Sequence, residues 1–152
     1  MAGMPWLTIP AFRVACLLLI VPFGKLIVMS ARKSYRTTVC RLDELDDPGS
    51  RGATMVHGNH LCDVFVVRQG DRVFGYLNSC PHTGGPLDWV PDQFLNIDKD
   101  CIQCATHDAL FKLHDGKCVA GPCVGASLTS VPVVIDAGEV SLLVDDRWLA
   151  DN

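Results

Sequence analysis

Acidic residues are missing altogether from the first 41 positions, which carry six Lys or Arg. Basic residues are scarce in the rest of the chain: residues 42–152 hold seven, against seventeen Asp or Glu, a balance of −10. Such a body lacks the cations that neutralise phosphates, which argues against nucleic acid as a partner. Its charge suits steering toward a basic docking patch. The chain also lacks internal repeats, low-complexity stretches and, after residue 35, any convincing long amphipathic helix, so solenoids and helical bundles are excluded. Disorder is excluded too, because 49% of the residues are hydrophobic and only 20% are charged. What remains is a chain of 152 residues with room for one domain around a modest core.

Long uncharged apolar runs are equally lacking. Pro5 to Ala31 is strongly apolar, but Arg13 and Lys25 interrupt it, and Val14 to Gly24 between them is 11 residues long. A helix needs about 20 to cross a bilayer, and Pro22 and Gly24 weaken a helix here. Three readings of residues 1–34 stand side by side. Met29-Ser30-Ala31-Arg32-Lys33 reads like a genuine amino terminus, which makes Met29 an alternative start to Met1. The segment also fits a single amphiphilic membrane anchor over 5–31, or the apolar stretch of a secretory signal, although Met29 is a poor small residue for cleavage after Ala31. No twin-arginine pair precedes it. The expected organisation is therefore an apolar segment, 1–34, and one domain, 35–148.

Eight cysteines are present, but a disulfide framework is not expected. The chain is too long to need staples, and its cysteines are scattered through ordinary strand-like runs. Cys16, Cys40, Cys62, Cys118 and Cys123 have hydrophobic, Gly or Pro neighbours and read as small packing residues. Unpaired thiols in this number fit a reducing compartment, so the expected location is cytoplasmic, with membrane association through residues 5–31 as the alternative.

From Tyr35 onward short strands alternate with turn signals. Strands are expected over Tyr35 to Leu42, Ala53 to Val56, Val64 to Arg68 and Arg72 to Leu77, with a charged loop from Asp43 to Gly52 and a hairpin turn at Gln69-Gly70-Asp71. His57-Gly58-Asn59-His60 forms a bend. Ile102 to Cys104, Leu110 to Leu113 and Lys117 to Ala120 come next, the last two about Asp115-Gly116. Ser130 to Ile135 and Val140 to Val144 close a final hairpin about Asp136-Ala137-Gly138. Evenly spaced short strands of this kind predict an all-β sandwich or barrel.

Two short pairs carry the chemistry: Cys80-Pro81-His82 and Cys104-Ala105-Thr106-His107. Two thiolates and two imidazoles suit a two-iron, two-sulfide centre in which histidines replace cysteines on one iron. Zinc is the competitor. Cys101-x-x-Cys104 has zinc-knuckle spacing, and Cys80 with His82 or His107 would complete a tetrahedral set in a zinc-stabilised interaction module. His57, His60 and His114 read as surface or turn residues.

The fuller strings decide between them. Cys80-Pro81-His82-Thr83-Gly84-Gly85-Pro86-Leu87 and Cys104-Ala105-Thr106-His107-Asp108-Ala109-Leu110-Phe111 resemble the C-x-H-x-G-x-x-L and C-x-x-H-x-x-x-F loops of Rieske iron–sulfur proteins. Gly84, Leu87 and Phe111 are not required by zinc. Ala120-Gly121-Pro122-Cys123 resembles the proline-containing loop that covers the cluster in that family.

The resemblance implies a Rieske fold, with three small antiparallel sheets and a subdomain of cluster-binding loops. It implies one [2Fe-2S] cluster, with Cys80 and Cys104 on an inner iron and His82 and His107 on an outer, solvent-facing one. Leu87 and Phe111 would shield it, and Cys101 would be a spare thiol. The implied function is that of a ferredoxin carrying single electrons from a reductase to an oxygenase. A small Rieske-like subunit of a nitrite reductase is the alternative. The chain is not expected to be an enzyme alone, since about 110 residues of body leave no room for a second, 2-His-1-carboxylate domain. Trp89 to Asp100 reads as an inserted surface excursion. Asp108 stands where Gly is usual, which predicts a strained turn. Gly85 and Thr106 stand where respiratory-complex relatives form a bridging disulfide, and Ala109 where they carry a serine. With fewer hydrogen bonds to the cluster, the expected potential is low for the family, on the order of −150 mV.

Overall fold

The computed structural model describes residues 34–57, 60–145 and 148. The apolar segment before Ser34, with Cys16 and both candidate starts, lies outside them. Among the described residues no helix is long and apolar enough to cross a membrane.

Among the described residues ten strands run in chain order: β1 (Ser34–Arg41), β2 (Gly49–His57), β3 (His60–Gln69), β4 (Arg72–Leu77), β5 (Cys101–Gln103), β6 (Leu110–Lys112), β7 (Cys118–Ala120), β8 (Ser130–Val131), β9 (Val133–Asp136) and β10 (Glu139–Asp145). They form three antiparallel sheets, ordered β1-β10-β9, β2-β3-β4-β8 and β5-β6-β7. This is the all-β, three-sheet architecture expected.

The middle sheet is buried on both faces, and Val64-Phe65-Val66-Val67 of β3 shows how. All four side chains are at most 1% exposed. Because successive strand residues point to opposite faces, Val64 and Val66 join Met55, Val140 and Leu142 in one core. Phe65 and Val67 join Tyr76, Leu87 and Phe111 in the other. A continuous apolar run is what a strand covered on both sides requires. The second core lies beneath the loops that carry Cys80 and Cys104, both of which belong to it.

Three expectations are corrected. β2 begins at Gly49, inside the anticipated loop, because Gly49 to Ala53 pair with Arg68 to Val64 across the sheet. Pairing with a long apolar neighbour outweighs the poor strand propensity of glycine. Ser130 to Ile135 is not one strand. Pro132 has no N–H to donate and divides it: β8 pairs with β4 in the middle sheet, and β9 pairs with β10 in the first. Trp89 to Asp100 is not simply a surface excursion. Trp89 and Ile97 are exposed, yet Phe94 is buried and stacks on Phe65 with ring centroids 4.1 Å apart. Asp92 pins the same segment to the edge of β2, accepting from the Gly52 N–H at 2.7 Å, while its carbonyl accepts from the Ser50 hydroxyl at 2.6 Å. Covering an edge strand removes a site for unwanted pairing.

Candidate metal centre

β4 delivers the chain into the first loop, and Asn78 closes that loop at both ends. Its side-chain oxygen accepts from the Leu87 N–H at 2.7 Å, and its amide donates to Asp88 at 2.8 Å. Within the loop the Cys80 N–H donates to the Gly85 carbonyl at 2.8 Å, and the Gly84 N–H donates to the Cys80 carbonyl at 2.7 Å. Gly84 turns the chain with a φ of 75°, in the left-handed region that glycine enters without steric cost.

The second loop leaves β5 and repeats this turn. The Cys104 N–H donates to the Ala109 carbonyl at 2.9 Å, and the Asp108 N–H donates to the Cys104 carbonyl at 3.0 Å. Its left-handed corner is Asp108, with a φ of 54°. So Cys80 and Cys104, Gly84 and Asp108, Gly85 and Ala109 hold matching places, although one string reads C-x-H and the other C-x-x-H. The Ala105 N–H donates to the Leu87 carbonyl at 2.7 Å and joins the two loops. The strain anticipated at Asp108 is eased by residue type, since Asp tolerates this region better than most side chains.

The four candidate ligands form two pairs, Cys80 with Cys104 and His82 with His107. Cys80 and Cys104 are buried, each 2% exposed, in the core that also holds Leu87 and Phe111. His82 and His107 are exposed, their ring centroids 4.9 Å apart at an interplanar angle of 80°. Burial pushes the Cys80 thiol above its ordinary pKa. The His82 backbone N–H opposes that rise, the neighbouring Cys104 thiol adds to it, and Cys123 opposes it. A thiol this reluctant to ionise becomes a good ligand only when a metal's positive charge displaces its proton.

A third loop, 120–123, lies across the second. Gly121 has a φ of 98°, and a Cβ there would come within 2.7 Å of Ala109 Cα. Only glycine fits so close an approach. Cys123 comes two residues later, its sulfur 3.3 Å from that of Cys118, and burial, then Cys118, pushes its thiol up to about 12. Cys118 and Cys40 are buried, as their apolar neighbours suggested, but Cys62 and Cys123 are only partly so. The sequence, by resemblance, places this loop over the cluster but marks Cys123 only as a packing residue and misses its contact with Cys80. The available signal was its position at the end of Ala120-Gly121-Pro122-Cys123.

Zinc fares poorly against this geometry. Among the described residues no three His, Cys, Asp or Glu side chains converge on one metal-ion position. A structural zinc needs four donors around one ion, and Cys101, at the start of β5, does not complete such a set. A two-iron cluster asks for only two protein donors on each iron, the sulfides supplying the rest. Soft thiolates inside and neutral imidazoles outside are the donor chemistry of that cluster. His114 is exposed and lies 3.3 Å from Asp115, away from any ligand role.

The sequence matches the profile of the Rieske [2Fe-2S] domain over residues 36–135. The chain belongs to the Rieske [2Fe-2S] domain family. Its cofactor is accordingly one Rieske-type cluster, and its chemistry is one-electron transfer. No curated protein matches the Rieske chain by sequence. Among solved structures, the ferredoxin of carbazole 1,9a-dioxygenase from Nocardioides aromaticivorans IC177 is 27% identical, with a TM-score of 0.54 over 71% of this chain and 96% of that one. A ferredoxin of Sphingomonas yanoikuyae B1 is 22% identical, with a TM-score of 0.53 over 70% and 96%. The terminal oxygenase of carbazole 1,9a-dioxygenase from Novosphingobium sp. KA1 shares the fold at 23% identity and a TM-score of 0.60, over 74% of this chain but 30% of its own.

Proposed function

We propose that this Rieske protein is the ferredoxin of an oxygenase system, accepting single electrons from a reductase and passing them to a terminal oxygenase in the cytoplasm. The carrier domain spans residues 35–148. Cys80 and Cys104 hold the inner iron, and His82 and His107 hold the outer. The observation that carries the reading is a pair of buried thiols together with a pair of exposed imidazoles 4.9 Å apart. The bound cluster supplies a site that gains and loses one electron. Leu87 and Phe111, both fully buried beside the cysteines, keep water from the thiolate side. The exposed imidazoles form the edge that a partner can approach closely. Near-complete coverage of a 27% identical oxygenase ferredoxin supports a carrier of that kind.

The test is rapid mixing. Protein reduced anaerobically and freed of excess reductant is mixed with an oxidised Rieske-type terminal oxygenase, and the visible spectrum is followed. The proposal expects second-order reoxidation that slows with added salt, because the body is acidic. Electron transfer to a sirohaem nitrite reductase but to no oxygenase would instead favour the small-subunit alternative.

A further inference from the structure

We infer that Asp108 is a positioning and potential-setting residue, whose negative charge, one residue after His107, disfavours reduction of the cluster. The inference rests on the ligand assignment proposed above. Its starting point is the match between the two loops. The first turns its left-handed corner with Gly84, and the second turns the same corner with Asp108, at φ values of 75° and 54°. The second corner therefore carries a side chain where the first carries none, directly after a candidate ligand. Asp108 is exposed, and its Oδ1 accepts from Gln103 Nε2 at 2.8 Å, tying the end of the loop to the end of β5.

Two structural tasks are visible here: tolerating a positive φ and accepting one hydrogen bond. Asn performs both, since it enters the left-handed region as readily and offers an amide oxygen to Gln103. What Asp adds is charge. Among the described residues no Lys or Arg forms an ion pair with Asp108. Adding an electron to a centre held by the neighbouring imidazole places negative charge near negative charge, which costs free energy and lowers the potential. An exposed carboxylate acts through solvent, so the effect is modest and screened by salt.

The experiment is a redox titration of the cluster-loaded wild type and the variants Asp108→Asn, Asp108→Gly and Gln103→Ala, read by electron paramagnetic resonance at one pH. It is run at low and at about 1 M salt. At the wild-type midpoint, D108N and D108G are expected to show a reduced-to-oxidised ratio about two- to fivefold higher, the range of an exposed charge pair. The gap should shrink at high salt, where the screening length falls to about 3 Å. Q103A keeps the charge and should stay near the wild type. An unchanged ratio in D108N, or a Q103A shift equal to that of D108N, would overturn the charge role. If D108N does not retain its cluster, D108G decides, and failure of both means the role is structural and the inference is wrong. A wild type without a mixed imidazole–thiolate signal would instead overturn the ligand assignment, and this inference with it.

Discussion

Replacing Gly121 with Ala should loosen the metal centre far more than the same change at Gly84. Both residues have positive φ, 98° and 75°, so both substitutions force an L side chain into an unfavourable region. That cost is about 1–2 kcal/mol. The sites differ in space. A Cβ at Gly84 meets nothing within 4 Å, whereas at Gly121 it falls 2.7 Å from Ala109 Cα and 3.1 Å from Ala109 Cβ. Two of the three nearest atoms there are backbone, in the second ligand loop, and cannot swing aside. Overpacking of this kind adds about 1–3 kcal/mol, and at ~1.4 kcal/mol per factor of ten the added term is roughly five- to hundredfold. Unfolding of a cluster protein is irreversible once the metal is lost, so the quantity to compare is a rate. Bleaching of the visible absorption in a fixed urea concentration measures it. Gly121→Ala should bleach at least several times faster than Gly84→Ala, which should itself exceed the wild type. Equal rates for the two variants would refute the close packing of the third loop on the second.

Tyr76 is buried, and its hydroxyl donates to the Leu113 carbonyl at 2.9 Å, so Tyr76→Phe, which forfeits about 1 kcal/mol, should bleach faster than the wild type in the same urea assay, by up to about fivefold. Burial, then Asp115, raises the phenol from 10.0 to about 12. The folded state resists its ionisation, so this contribution is full below pH 10 and is lost as pH rises toward 12. Circular dichroism across that window should show a smaller loss of stability in Y76F than in the wild type, the remainder coming from partly buried thiols such as Cys123. Phe94→Ala removes a buried ring stacked at 4.1 Å on Phe65 and should cost about 3–5 kcal/mol, visible as a lowered Tm. A cost below about 1 kcal/mol would return the 89–100 segment to a surface role. Ala109 is buried and offers no hydroxyl, so the potential should lie near the low end of the family, on the order of −150 mV. A titration placing it well above zero would contradict this.

Much of the molecule was legible because short-range chemistry fixes it. Arg72 to Leu77 and its hairpin arise from strand-favouring Val73, Phe74 and Tyr76 beside Gln69-Gly70-Asp71, and the observed strand has those bounds. The ligand strings were legible because few other constraints place Cys and His so close together. The misses are long-range. Gly49 and Gly52 join a strand only because β3 lies alongside. Phe94 enters the core because Phe65, 29 positions earlier, faces the same side. The change of sheet at Pro132 had a local signal, the missing N–H, but the partner strands β4 and β10 could not be read from it. Gly84 and Asp108 each follow their cysteine by four residues, so their correspondence was legible, but that both turn a left-handed corner closed by the same pair of hydrogen bonds emerges only from the structure.

Electron paramagnetic resonance before and after dithionite, with iron, sulfide and zinc quantified on the same anaerobic sample, tests the central claim most directly. The account predicts a silent oxidised protein, two irons and two sulfides per chain, and a rhombic signal on reduction with the low average g value of mixed imidazole–thiolate ligation. That signal should vanish in His82→Ala and in His107→Ala. A colourless, zinc-rich protein with no signal in either state would contradict it.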